Sequence, residues 1–186
     1  MEIKDSGTYG LVVKKGTVTV KNTVIDNAGI TTTTAARIGI AAHGGTLTLD
    51  NVTIQHFRGT DSKGKTNNNH GIDHQGGQLI VTANEVVEGG NKGLYICNVK
   101  GHGIYSTGGS MNISKITIDG NGQTRAGIQL TDNNSSDNQV SGATIENCSV
   151  KIQLKNVSQL LIENTSVSTT EKDEVSNYDI SGNKVN

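Results

Sequence analysis

Four side chains in the middle of this chain have the types and spacing for acid–base chemistry: His70, Asp73, His102 and Tyr105. Two of them sit in copies of one local pattern, Gly71-Ile72-Asp73 and Gly103-Ile104-Tyr105, and a histidine precedes each copy directly. A tyrosine paired with a histidine could take the proton beside a carboxylate, provided a cation neutralises that carboxylate. Arg125 is the nearest candidate for the cation. Hydrolysis across a sugar bond would need two carboxyls instead, and Asp73 has no second acid at matching positions. The same four residues also read as a solvated polar set, and that is the reading preferred for them. Gln129, at the position matching Asp73 and Tyr105, and His43 and Gln75, two residues further on in their copies, are weaker candidates for ligand contacts.

What must position these residues is an internal repeat. Gly39-Ile40-Ala41-Ala42-His43-Gly44-Gly45-Thr46-Leu47 returns 32 residues later from Gly71 and again 32 residues later from Gly103. An earlier copy begins at Gly10, and Ile128-Gln129-Leu130 returns after 24 residues as Ile152-Gln153-Leu154. Ala143 to Val150 matches Leu160 to Val167 at a spacing of 17, as though the polar insert Thr131 to Asn138 had no counterpart in the last copy. A fixed repeat of this kind marks stacked units rather than a single folded core. Apolar residues alternate within each copy (Val18, Val20; Leu47, Leu49; Leu79, Val81; Met111, Ile113), which predicts short strands with one face inward. A strand that recurs once per copy stacks in parallel on its successor at about 4.8 Å. The predicted fold class is therefore all-β, one domain over residues 1–186 with about six or seven coils. If Ile40, Ile72, Ile104, Ile128 and Ile152 point inward, then Ala41, Asp73, Tyr105, Gln129 and Gln153 form an outward row. His43, Gln75, Thr107, Thr131 and Lys155 form a second.

Small turns follow the apolar runs at Ile25-Asp26-Asn27, Ile118-Asp119-Gly120, Ile145-Glu146-Asn147 and Ile162-Glu163-Asn164, where Asn and Gly accept a left-handed backbone. With these turns, the chain from about Tyr9 to Asn183 resembles the right-handed parallel β-helix of the pectate-lyase-like superfamily. It departs from that pattern at His56 and around Val87-Glu88, where the Asn or Gly is missing. Right-handedness is implied by the resemblance, as is the use of the first outward face for a polysaccharide. Gly101-His102-Gly103 with Ser106 and Gly108 is also similar to a polygalacturonase active-site motif, without the paired aspartates that accompany it there.

Composition narrows the function classes. The chain has 24 glycines, no proline or tryptophan, one phenylalanine and four tyrosines, so stacking platforms for sugars are sparse. A net charge of −1 lacks the basic face that nucleic acid demands. No apolar run is long enough to span a bilayer. Cys97 and Cys148 lack the spacing of a zinc site and are read as two small buried thiols. Asp26, Asp119, Glu146 and Glu163 recur once per turn; calcium wants six to eight converging oxygens, so they read as a charged rim and no cofactor is expected. The threonine pairs Thr17/Thr19 and Thr46/Thr48 stop at Gln78 and Ile80, which excludes a flat threonine array. Thr31 to Thr34 and Asp61 to Asn69 read as surface loops. Two functions are consistent with all of this. One is a non-enzymatic, secreted or cell-surface segment of a longer solenoid that meets a glycan or host surface, with flanking domains or subunits over its ends. The alternative is a polysaccharide lyase, epimerase or glycoside hydrolase that uses the His70, Asp73, His102 and Tyr105 cluster.

Overall fold

A computed structural model describes residues 1–29, 37–58, 69–84 and 93–164. Every strand pairing in it is parallel, and fourteen strands join in one hydrogen-bonded network. The pairings resolve into three ladders. Ladder one stacks β2 (Tyr9–Val13), β4 (Ile38–Ala42), β6 (Ile72–His74), β9 (His102–Ser106) and the second halves of β11 (Ile116–Thr131) and β13 (Ala143–Lys155). Ladder two stacks the first halves of β3 (Thr17–Asp26) and β5 (Thr46–Gln55) with β7 (Gln78–Thr82), β10 (Ser110–Ile113), β12 (Gln139–Ser141) and β14 (Leu161–Glu163). Ladder three stacks β1 (Glu2–Lys4), the second halves of β3 and β5, β8 (Leu94–Cys97), and the first halves of β11 and β13. The chain visits the ladders in one cyclic order, an all-β arrangement compatible with a solenoid.

The core is the space between the ladders. Ile40, Ile72, Ile104 and Ile128 are fully buried and paired in register, as are Ile54, Ile96 and Ile118 on ladder three. Each such side chain contributes roughly 1.5–3 kcal/mol of transfer free energy. On ladder one alternation breaks at a glycine that recurs on successive rungs. A Cβ on Gly71 would lie 2.8 Å from Ile96 Cγ2 and 2.6 Å from the Gly103 carbonyl oxygen, so this residue faces inward like Ile72 beside it. The glycine lets ladder one bend sharply against ladder three.

Left-handed turns hold the corners. Asn22 and Asn51 lie between ladders two and three, and Asn98, Asn121 and Asn147 follow ladder three, all with φ between 48° and 55°. The amide of Asn51 donates to Asn22 Oδ1 at 2.7 Å, and that of Asn121 to Asn98 Oδ1 at 2.9 Å. His56, where neither Asn nor Gly is present, still takes φ 65° and is held by Nδ1 at 2.7 Å from Asp26 Oδ1. Asn27, by contrast, is buried without a left-handed φ, and the turn there is closed by the Ala28 N–H donating to Asp26 Oδ1 at 2.9 Å. Replacing Asn98 by alanine should cost about 1–2 kcal/mol, the left-handed penalty plus one bond, whereas Asn98→Gly should lose well under 1 kcal/mol. Urea melts of the two variants separate the terms.

One grouping is corrected. Glu163 pairs with Ser141 on ladder two, so it is not equivalent to Asp26, Asp119 and Glu146, which end ladder three. The 17-residue match thus compares two different ladders within the stack, and the rung that follows β12 is β14, 22 residues on. Val87-Glu88, Thr31 to Thr34, most of the Asp61 to Asn69 stretch and the end of the chain lie outside the described residues.

Candidate functional site

The expected outward row exists in register: Ala41, Asp73, Tyr105, Gln129 and Gln153 are successive partners on ladder one. Its neighbours His43, Gln75 and Thr107 begin the turn to ladder two, each donating its backbone N–H to the previous rung. His102 pairs with Ala126, one residue beyond the glycine bend, and His70 lies one rung before it, its carbonyl accepting from Gly39. Because the bend makes two successive residues face inward, both histidines emerge on the same side as Asp73 and Tyr105.

The rings of His70, His102 and Tyr105 are packed together. Centroids are 5.1 Å apart for the two imidazoles, 4.9 Å for His70 with Tyr105 and 5.4 Å for His102 with Tyr105, with planes within 23° of parallel. The set is not solvated as expected: His70 and His102 are each 3% exposed and Asp73 is 6% exposed. Burial pushes the His70 imidazole down to about 3, with His102 adding to the effect. It pushes His102 down to about 4, helped by the Arg125 guanidinium. Both are therefore neutral at physiological pH. Burial also raises the Asp73 carboxyl, against the opposing pull of the Gln75 amide, which donates to Oδ2 at 2.9 Å, and of His43. Four buried polar atoms on this face have no hydrogen-bond partner: Nδ1 of His70, Nδ1 of His102, Oδ1 of Asp73 and Oε1 of Gln129. Such atoms are costly to bury and mark where water or a ligand would be satisfied.

The inward side of the same strands carries a polar strip that pattern reasoning missed. His74 and Ser106 are fully buried, paired across rungs, and joined from Nδ1 to Oγ at 3.0 Å. Asn133 Nδ2 donates to Ser106 Oγ at 3.0 Å and to the Gly109 carbonyl, while its Oδ1 accepts from Asn138 Nδ2 at 3.1 Å. The stretch from Thr131 to Asn138 is thus no plain surface insert; Asn133 and Asn138 face inward and cap the corner between ladders one and two. A hint was available in the asparagine at each end of Asn133 to Asn138, the spacing of a closed local turn.

Among the described residues no group of three or more His, Cys, Asp or Glu is placed to hold a metal ion, and no helix is long and apolar enough to cross a membrane. Cys97 and Cys148 are free and half-buried rather than fully buried, and burial pushes the Cys148 thiol up to about 11. Neither has the lowered thiol that nucleophilic chemistry uses. No family model matches the chain, and neither a curated protein nor a solved structure does.

Proposed function

We propose that this chain is a right-handed parallel β-helix, of the kind found in secreted and cell-surface proteins, whose ladder-one face binds a glycan without transforming it. The cyclic order of ladders and the fixed inward columns support the solenoid reading. The observation that carries the binding reading is the row Asp73, Tyr105, Gln129: an acceptor, a ring and an acceptor on successive rungs, spanning about 10 Å. Oδ1 of Asp73 and Oε1 of Gln129 lack partners but lie beneath the surface, so sugar hydroxyls would satisfy them only once the groups covering them shift, while the partly exposed Tyr105 ring offers an apolar face for a pyranose. Along the two outward rows Asp73 is the only carboxyl among the described residues, which favours binding over glycoside hydrolysis.

The enzymatic alternative draws on a different observation, the two imidazoles packed on Tyr105; both are unprotonated and so free to accept a proton, but values near 3 and 4 make them weak bases, which favours binding. A glycan-array and uronate-polymer screen decides between the two. Wild type should bind at least one glycan, Tyr105→Ala and Asp73→Asn should each weaken it by tenfold or more while still melting as folded proteins well above the assay temperature, and no unsaturated or reducing ends should appear. Turnover lost in a His102→Ala, Tyr105→Ala double variant would replace binding by catalysis. Absence of any binding would sink the reading.

A further inference from the structure

The ring stack has a property that the binding reading does not use: its two imidazoles are built to be uncharged. We propose that the His70–His102–Tyr105 stack is an acid-released clasp, closed while both imidazoles are neutral and opened by their protonation, so that the ladder-one face engages its ligand at neutral pH and lets go in acid. The coupling to a ligand rests on the glycan reading; the clasp itself does not.

A protonated imidazole donates from both ring nitrogens, yet Nδ1 of each histidine is buried with no acceptor. The first charge would therefore be buried unsatisfied, and the second would lie about one ring spacing away, at 5.1 Å. The charged groups around the stack do not relieve this. Arg125 on β11 is itself a cation beside His102. Arg37, ahead of β4, aims its guanidinium at the Ser6 and Gly7 carbonyls. Among the described residues Asp73 is the one carboxyl on this face, already shared with Gln75, faced by His43 and drawn toward its neutral form by burial. Rotating a charged ring out to water is the relief that remains.

Free of the stack, each imidazole has its ordinary value near 6.5; within it, the values are about 3 and about 4. The open state binds more protons throughout that interval, so the clasp is fully closed above about 6.5 and loosens as the pH falls toward 4. At pH 4.5 each imidazole would favour opening by up to about a hundredfold relative to pH 7. Asp73 works the other way, since its raised value lets the closed state take up a proton, but it is one group against two.

The test needs no ligand, so its failure and that of the glycan reading are separable. Ring signals of Tyr105 and of the histidines would be followed by NMR from pH 7.5 to 3.5 on the full chain, with ladder amides as the measure of the whole fold. The expected result is a reversible Tyr105 transition between pH 6.5 and 4 while ladder-two and ladder-three amides hold. A His70→Phe, His102→Phe variant, which keeps rings but cannot protonate, should lose that transition. His74 on the inward side, pushed down to about 4 by burial, remains in the variant and adds acid sensitivity to the whole fold. The proposal is overturned if Tyr105 moves only together with the ladder amides, or if the phenylalanine variant shows the same transition. Should that variant not fold, the separation of the two transitions in wild type decides alone.

Discussion

Gly77→Ala is expected to cost about 2–5 kcal/mol, whereas Gly16→Ala at the equivalent turn should cost about 1–2 kcal/mol. The two residues share a left-handed backbone, φ 79° and 83°, in the turn from ladder one to ladder two. Both substitutions therefore carry the same conformational penalty. They differ in what a methyl group would meet. At Gly77 it would fall on the Gly45 carbonyl oxygen, which accepts the hydrogen bond from Gln78 N–H, and lie 2.7 Å from the Gly45 nitrogen. At Gly16 nothing lies within 4 Å. Relief at Gly77 requires two rungs to part, with loss of ladder bonds on both sides. Against a total stability of about 5–15 kcal/mol, this one methyl removes a large share. Chemical denaturation of the two variants beside wild type measures the difference. Equal losses would mean that the turn conformation dominates and the close stacking of rungs does not.

The second large effect is expected at Asn133. Its amide holds Ser106, the Gly109 carbonyl, the Ser135 N–H and Asn138, all at 3.0–3.2 Å, from a fully buried position. Asn133→Ala leaves several of these buried groups without a partner, and each orphan costs about 1–3 kcal/mol unless water replaces the amide. A total of about 3–5 kcal/mol is expected, visible as a lowered melting temperature. Asn133→Asp should also destabilise, because a carboxylate cannot donate to Ser106 or Gly109. A Ser106→Ala, Asn133→Ala pair should lose less than the sum of its singles, since Ser106 no longer needs the donor. Strict additivity would show that the strip is a set of independent contacts rather than one network.

How much of this was legible in the sequence differs by residue. The column Ile40, Ile72, Ile104, Ile128 and Ile152 follows from a plain repeat, and the outward row with it, because alternation is reliable between turns. Alternation fails at the glycine bend. Counting back by twos from Ile72 puts His70 in the core, and only the close approach of Gly71 to Ile96 turns it outward. Burial of the cluster was not legible, because a strand pattern says which way a side chain points and not what covers it. The shared Ile-Glu-Asn of 145–147 and 162–164 misled for a physical reason: both segments end a strand in a left-handed asparagine, which serves two different corners. His56 shows the converse, a turn whose conformation is imposed by Asp26 and by stacking rather than by its own residue type.

The uneven spacing of rungs has a mechanical consequence. On ladder three, Ile54 is joined to Ile96 across 42 residues, and Ile96 to Ile118 across only 22, although each pair forms one step of the same stack. Contour stored per step is thus unequal while the rise is constant. Pulled from its ends, such a chain would lengthen in unequal increments, roughly 140 Å when the first of these steps yields and roughly 75 Å for the second. Each increment would name the step that gave way, so the connections between rungs act as a length code written along a ladder of even spacing.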